Sequence, residues 1–326
     1  MSPLDALGVA PMAADMGRVE AALSGSVLSS DPFLSDVAGH LIAAGGKRLR
    51  PALSLCAAYA AKGVGPVSDD AITGGVSVEL VHLGSLYHDD VIDEAETRRG
   101  VPSVNARWSN IVAILAGDYL LARASSLAAS LGADVAALLA ATIGELCRGQ
   151  VLELQHLFDT DRTVEAYTSA ITGKTASLFG TACRVGGMVS AVDDPTLDAL
   201  TEFGYHLGMC FQIVDDVLDV TGTDESLGKP AGNDILEGVY TLPVIHALAA
   251  SSSNELRELI GRKIDRTQLG RARALVVETD AIDASIDAAR SHAADAAAVL
   301  SSTTALDAEV TDGMIRLVDT LVTRQF

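Results

Sequence analysis

Aromatic side chains are scarce, at 4% of the 326 residues, and Trp108 is the single tryptophan. Nine prolines leave long stretches of chain uninterrupted. Turn-punctuated β-branched segments at strand spacing are missing, which argues against a sandwich or a doubly wound sheet. Positive charge is in deficit: 23 Lys and Arg face 43 Asp and Glu, for a formal charge of −20. That balance argues against a nucleic-acid partner, because phosphate binding needs basic surface, and makes anionic membranes a poor one. The four cysteines, Cys56, Cys147, Cys183 and Cys210, show no CxxC spacing and read as small apolar core residues of a cytoplasmic protein. The opening "MSPLDALGVAPMAADMG" lacks a basic stretch followed by an apolar block, so no signal peptide is expected. The longest apolar region, around Ser126 to Gly144, is mostly Ala and contains Asp134. It reads as a packed interior helix, with no stable membrane span expected.

What remains is apolar periodicity of the helical kind, from near Gly17 to the end. Asp31–Pro32 and the loop "AKGVGPVSDD" carry helix-start signals. A long apolar helix is expected from Asp69 to about Glu94. "RRGVPSVNARW" reads as a loop, with Trp108 anchoring the core behind it. Two Ala/Leu helices meeting near Gly132 follow. Another helix spans Asp194–Pro195 to Val220, and "GTDESLGKPAGNDILEG" is a polar loop. With no low-complexity linker and no fixed repeat, the expectation is one all-helical domain over 1–326, with 1–15 a flexible leader.

Two acidic clusters stand out: "HDDVIDEAETRRG", with Asp89, Asp90 and Asp93, and "FQIVDDVLD", with Asp215, Asp216 and Asp219. Residues four apart on a helix share a face, with Cβ atoms about 5–6 Å apart. Asp89 therefore projects with Asp93, and Asp215 with Asp219. Paired carboxylates without thiols suit a hard divalent ion such as Mg²⁺, which keeps positions open for water and substrate phosphate. One DDxxD arises by chance roughly a fifth of the time in so acidic a chain, and two only a few per cent of the time. Both follow strongly apolar runs, where a carboxylate cluster needs compensation. Metal binding is therefore the better reading than a solvated acidic face.

Cations gather near them. "GGKRLRP", Gly45 to Pro51, holds three basic residues before a helix; taken alone it is an ordinary glycine cap with snorkelling side chains. Arg98 and Arg99 follow the first cluster directly. Arg offers a fork for phosphate and Lys a point charge, so a diphosphate suits both the metal and the cations.

With "GGKRLRP", "HDDVIDEAETRRG", "GKT", "FQIVDDVLD" and "GKPAGNDILEGVYTLP" in order, the chain resembles the trans-isoprenyl diphosphate synthases (polyprenyl synthetases) from about Ala43 to Pro243. The resemblance implies a single bundle of long antiparallel helices around a deep central cavity, usually homodimeric. It implies isopentenyl diphosphate on Lys47, Arg50, His82 and Arg99, and an allylic diphosphate near Arg98, Lys174, Thr175, Gln212 and Lys229. It further implies Mg²⁺, three ions per active site, on Asp89 and Asp93 and on Asp215 with Asp219 in support. Catalysis is assigned to the six aspartates, Asp90 and Asp216 included, with Lys174. The implied reaction is metal-assisted ionisation of the allylic diphosphate, attack by the isopentenyl double bond, and proton loss to the released diphosphate. Asn233 and Val239 depart from the family pattern, each standing where many members have Lys, and the tail "TRQF" offers only Arg324. In this family an aromatic residue five positions before the first Asp stops growth early. Gly84, followed by Ser85, stands there instead, so a medium- or long-chain product is expected. The bland alternative is that these small residues merely allow close helix packing.

Two rival readings have specific residues behind them. Glu79/His82 and Glu153/His156 form two Glu-x-x-His pairs, as di-iron bundles require, but this leaves the DDxxD clusters unexplained. A class I terpene cyclase shares the first acidic motif yet usually replaces the second and lacks the isopentenyl-binding cations. His156 and His206 otherwise read as packing histidines.

Overall fold

The computed structural model describes residues 6–223, 231–250 and 254–323. The first helices are α1 (Met12–Ser26), α2 (Pro32–Ala43), α3 (Leu49–Lys62) and α4 (Asp69–Ile92). A hairpin, β1 (Thr97–Arg98) and β2 (Val101–Pro102), precedes α5 (Val104–Arg107), α6 (Asn110–Ser130) and α7 (Ala133–Gln155). Then come α8 (Val164–Ile171), a π-helical turn at Thr172–Ala176, α9 (Ser177–Met188) and α10 (Asp194–Thr221). The remainder is α11 (Asn233–Glu237), α12 (Leu242–Ala249), α13 (Asn254–Leu259), α14 (Arg266–Val277), α15 (Ala281–Ser302) and α16 (Ala308–Val322). The all-α expectation holds.

The chain forms two compact units that interleave along the sequence. The first comprises residues 1–143, 178–204 and 299–317. Its centre is α4, buried on nearly every side from Ala71 to Tyr87 and packed on α1, α3 and α6. A helix apolar all round belongs in an interior. The start signals act as expected: the Asp31 carboxylate accepts from the Phe33 N–H at 2.9 Å, and Ser68 Oγ from the Ala71 N–H at 3.2 Å. Such caps satisfy amide groups that no helical carbonyl reaches.

Three expectations change here. The leader is not loose over its described part: Leu7 is fully buried, and Arg316 Nε donates to the Ala6 carbonyl at 3.3 Å. The "RRG" loop contains a hairpin in which Thr97 pairs with Pro102 and Arg98 with Val101. Arg99 and Gly100 at its tip have φ of 55° and 76°, the left-handed pair that a type I′ turn demands. Trp108 is only half-buried; the Arg107 guanidinium lies 4.3 Å from its ring, and His40 meets it edge-on.

The apolar stretch Ser126–Gly144 is not one interior helix but the junction of α6 and α7. Both are long and apolar enough to cross a membrane by composition, at 21 and 23 residues, yet only 33% and 22% of their apolar windows are buried. On α6, Ile111, Ile114 and Leu115 are 71%, 43% and 61% exposed. Their spacing puts them on one outward face. Cys147 is exposed on α7, whereas Cys56, Cys183 and Cys210 are buried as expected.

The second unit comprises residues 144–177, 205–298 and 318–326. Its core joins Val220, Ile235, Tyr240, Val244, Leu248, Leu269 and Val276. A capping box between Asp265 and Gln268 starts α14. The Tyr240 hydroxyl accepts from the Gly261 N–H at 2.6 Å, so this buried aromatic has its polar tip satisfied.

Candidate active site

Each acidic cluster lies at the C-terminal end of a long helix. Asp89 and Asp90 sit in the last turn of α4, and Asp93 caps it, its N–H donating to the Asp89 carbonyl at 2.8 Å. Asp215, Asp216 and Asp219 occupy the last two turns of α10, and neither helix has a basic residue in its last turn. A helix C-terminus already carries partial negative charge. Three carboxylates there oppose one another and the helix end together, so the ends call for a cation.

Within each cluster the three acids differ. In the first, Asp89 is half-buried and Asp93 exposed, whereas Asp90 is fully buried. Arg98 holds Asp90 Oδ1 through Nε at 2.7 Å and Nη2 at 2.6 Å. Burial nevertheless raises the Asp90 pKa against the pull of Arg98. Asp90 Oδ2 is buried with no hydrogen-bond partner among the described residues. A water on a hydrated divalent ion would donate to this oxygen, and carboxylate oxygens of this kind suit Mg²⁺.

The second cluster repeats the division. Asp215 is half-buried, and Asp216 and Asp219 are buried. Asp216 Oδ2 accepts from the Tyr167 hydroxyl at 2.6 Å and Oδ1 from the Gln212 amide at 2.8 Å. Burial pushes its pKa up to about 7, against those two hydrogen bonds and with Asp215 beside it. Asp219 Oδ2 accepts from the Asp234 N–H at 3.2 Å, and the Asp219 carbonyl from the Gly232 N–H at 2.8 Å. The third acid thus ties down the start of α11. Asp90 and Asp216, expected to be catalytic, each also have a protein partner, Arg98 for the first and Tyr167 with Gln212 for the second.

The cations of the first unit are arranged around α4. Arg48, which starts α3 with φ of 47°, is buried between Glu20 at 2.6 Å and Glu79 at 3.0 Å. It is structural. Lys47 is exposed and Arg50 half-buried, with the Arg50 guanidinium 4.5 Å from the Phe179 ring centre. Arg99 is fixed by the carbonyls of Leu41, at 3.1 Å, and Gly45. Its pKa is lowered, first by burial and then by Arg48 and Arg98, with Glu79 opposing. Burial and the guanidinium groups of Arg50 and Arg99 hold the His82 pKa well below its usual value, so the ring is neutral. Crowded cations short of negative charge form a site for an anion.

Gly84 is buried against α6: an added Cβ meets the Gly117 carbonyl oxygen at 3.1 Å and Leu121 at 3.2 Å. Ser85 is half-buried, its hydroxyl donating to the His82 carbonyl at 2.8 Å. Tyr87 points away toward α2, donating to the Val37 carbonyl at 2.8 Å.

In the second unit the "GKT" motif lies in the π-helical turn. Such turns cluster at functional sites. Backbone contact forces the two glycines: a Cβ on Gly173 meets the Glu145 carbonyl oxygen at 2.6 Å, and one on Gly149 meets the Lys174 nitrogen at 2.3 Å. Thr175 Oγ1 donates to Gln212 Oε1 at 2.7 Å, and Lys174 pairs with Glu153. One chain of hydrogen bonds thus runs Thr175–Gln212–Asp216–Tyr167.

Sequence reasoning missed Tyr167, Arg162 and the true roles of Glu79 and Glu153. Buried Arg162 donates to the Tyr240 carbonyl at 2.9 Å. Its Nε and Nη2 have no hydrogen-bond partner among the described residues. Glu79 neutralises Arg48, Glu153 pairs with Lys174, and His156 pairs with Asp159 at 2.7 Å. Glu79, Glu153 and His156 thus have ion-pair partners, and His82 is a neutral ring beside Arg50 and Arg99, an arrangement unlike a di-iron site. Lys229 and Arg324 lie outside the described residues. Asn233 donates to Glu237 within α11, and the Val239 N–H to the Asp234 carbonyl at 2.8 Å.

Two carboxylate clusters at helix ends, with crowded arginines in an all-helical chain, define a class of metal-dependent enzymes acting on diphosphate esters. Comparison with known proteins narrows it: the chain belongs to the polyprenyl synthetase family, whose model matches residues 31–276. It is similar to the nonaprenyl diphosphate synthase of Mycobacterium tuberculosis, at 41% identity over 80% of this chain and 78% of that one. It is also similar to component 2 of the heptaprenyl diphosphate synthase of Geobacillus stearothermophilus, at 40% identity over 83% of this chain and 84% of the relative. Among solved structures, a polyprenyl synthase from Caulobacter crescentus, complexed with calcium and isoprenyl diphosphate, superposes with a TM-score of 0.91. It is 35% identical, and 98% of each chain is covered. The protein is therefore a prenyltransferase, a polyprenyl diphosphate synthase.

Proposed function

We propose that this chain extends an allylic diphosphate with isopentenyl units to a medium- or long-chain polyprenyl diphosphate, from about hexaprenyl to decaprenyl. The observation that carries the chain length is its similarity to nonaprenyl and heptaprenyl synthases, joined to the absence of an aromatic side chain at Gly84 and Ser85. Gly84 is committed to packing against α6, so Ser85 is the residue proposed to leave the way open. Incubation with farnesyl and isopentenyl diphosphates and Mg²⁺, read out by product mass, is expected to give chains beyond geranylgeranyl. Ser85→Phe is expected to shorten them by several units, because the ring fills space a growing chain needs. Geranylgeranyl diphosphate as sole wild-type product would reject the length assignment.

Asp89 and Asp93 are proposed to hold Mg²⁺ as a first site, and Asp215, with Asp219 in support, as a second, both serving the allylic diphosphate. Bound there, the metal neutralises charge developing on the leaving diphosphate. The protein's own groups orient the reactants. Lys47, Arg50 and Arg99 bind the isopentenyl diphosphate oxygens, and neutral His82 adds a hydrogen bond without more charge. Arg98, steadied on Asp90, and Lys174, Thr175 and Gln212 face the allylic diphosphate. Asp216 sets the Gln212 amide by accepting from its nitrogen. Loss of a proton, from the carbon between the new cationic centre and the CH₂–O group, to the released diphosphate forms the new double bond and completes each addition.

The cytoplasm is the proposed location, consistent with three buried free thiols. A homodimer is proposed from the outward α6 face of Ile111, Ile114 and Leu115, which is apolar enough that water is a poor neighbour. Sedimentation of the wild type at twice the monomer mass, and of Ile111→Glu/Leu115→Glu at monomer mass, is the expected result. A monomeric wild type would remove this reading.

A further inference from the structure

Away from the acidic clusters, three ligating side chains of the second unit converge. His206 lies on α10, while His292 and Asp295 lie one turn apart on α15. The two Nδ1 atoms are 2.9 Å apart, and an Asp295 carboxylate oxygen is 3.9 Å from His206 Nδ1. One ligand atom from each residue falls within 4.8 Å of the other two.

Ring placement decides what this cluster can hold. The imidazole centroids are 5.2 Å apart. Two imidazoles on a tetrahedral zinc ion, at Zn–N distances of about 2.0–2.1 Å, have centroids about 5.2 Å and nitrogens about 3.3 Å apart. The ring centres therefore already stand at the metal-bridged separation. Only the nitrogens are closer, as they are when a shared proton joins them, and small side-chain rotations open the gap without backbone movement. Tyr205 meets the His206 ring edge-on at 5.3 Å and limits its freedom. Burial lowers the His292 pKa, with His206 adding to the effect, and favours the neutral ring that a metal requires. The Asp295 side chain is 56% exposed and that of His206 16%, so an ion can enter from solvent and keep a water ligand. Two nitrogens and one carboxylate select a zinc-class ion over magnesium.

We propose that His206, His292 and Asp295 form a second metal site, of the zinc class, which clips α10 to α15 and is separate from the magnesium-binding aspartates. It does not depend on the assigned product or on prenyl transfer. The test is Co²⁺ titration of the full-length protein in excess Mg²⁺, which occupies the aspartate clusters. The expected result is one Co²⁺ per chain with the visible absorption of a four-coordinate nitrogen–oxygen site, displaced by Zn²⁺. A Tm rise of about 2–5 °C accompanies saturation. His292→Ala, and independently His206→Gln, lose both the absorption and the Tm rise while retaining Mg²⁺-dependent activity. A wild type without that absorption, or folded variants that bind Co²⁺ equally well, would overturn the proposal and leave a hydrogen-bonded histidine pair only.

Discussion

Asp89→Ala lowers kcat for prenyl transfer by about 10³-fold, and Asp215→Ala does so independently, without a comparable loss of Tm. Both positions are half-buried at the ends of long helices, where removing a carboxylate relieves repulsion and unfavourable helix-end charge. The loss is therefore chemical: a proposed metal ligand is removed, and charge on the departing diphosphate would go uncompensated. Asp90→Asn is the contrasting variant. It removes a buried anion from Arg98, so it lowers Tm as well as rate. The measurement is initial velocity at saturating Mg²⁺ with circular-dichroism melting on the same samples. Undiminished transfer in the Asp89→Ala/Asp215→Ala double variant would refute the metal assignment.

Glu79→Ala destabilises the first unit by about 3 kcal/mol. The Glu79 and Arg48 side chains are 2% and 3% exposed, and Glu79 also faces Arg50 and Arg99. Its own pKa is raised, because burial outweighs the three guanidinium groups. Removing it leaves Arg48 to Glu20 alone and lets the neighbouring arginines repel across a poorly hydrated space. The loss is at the lower end for a broken buried pair because Glu20 still faces Arg48. Denaturant unfolding measures the loss. A change below about 0.5 kcal/mol, ordinary for a surface site, would contradict it. Because Arg50 and Arg99 are also proposed to bind isopentenyl diphosphate, that anion relieves their repulsion and is expected to restore more stability to the variant than to the wild type.

Much of this arrangement was legible without coordinates. The i,i+4 aspartate pairs, the small residues at Gly84–Ser85 and the "GKT" motif are local patterns, and local patterns are visible in a short stretch of chain. The middle aspartates were harder. Asp90 and Asp216 follow Asp89 and Asp215 by one residue, and nothing local shows that one meets Arg98 and the other Tyr167. Tyr167 lies 49 residues from Asp216, a separation no short window spans. The roles of Glu79 and Glu153 were hidden for the same reason, since their partners Arg48 and Lys174 lie on other elements. The α6–α7 region misled differently: hydropathy reports that a surface avoids water, not whether this chain covers it.

Composition and periodicity alone made this an acidic, all-helical chain, and motif order made it a handler of diphosphates, because backbone preference and residue chemistry act over a few neighbours. Packing assigned each charged group its task. Whether a carboxylate meets a guanidinium, a phenol or solvent depends on which distant segments are brought beside it, and at low dielectric that neighbour sets its charge, orientation and use.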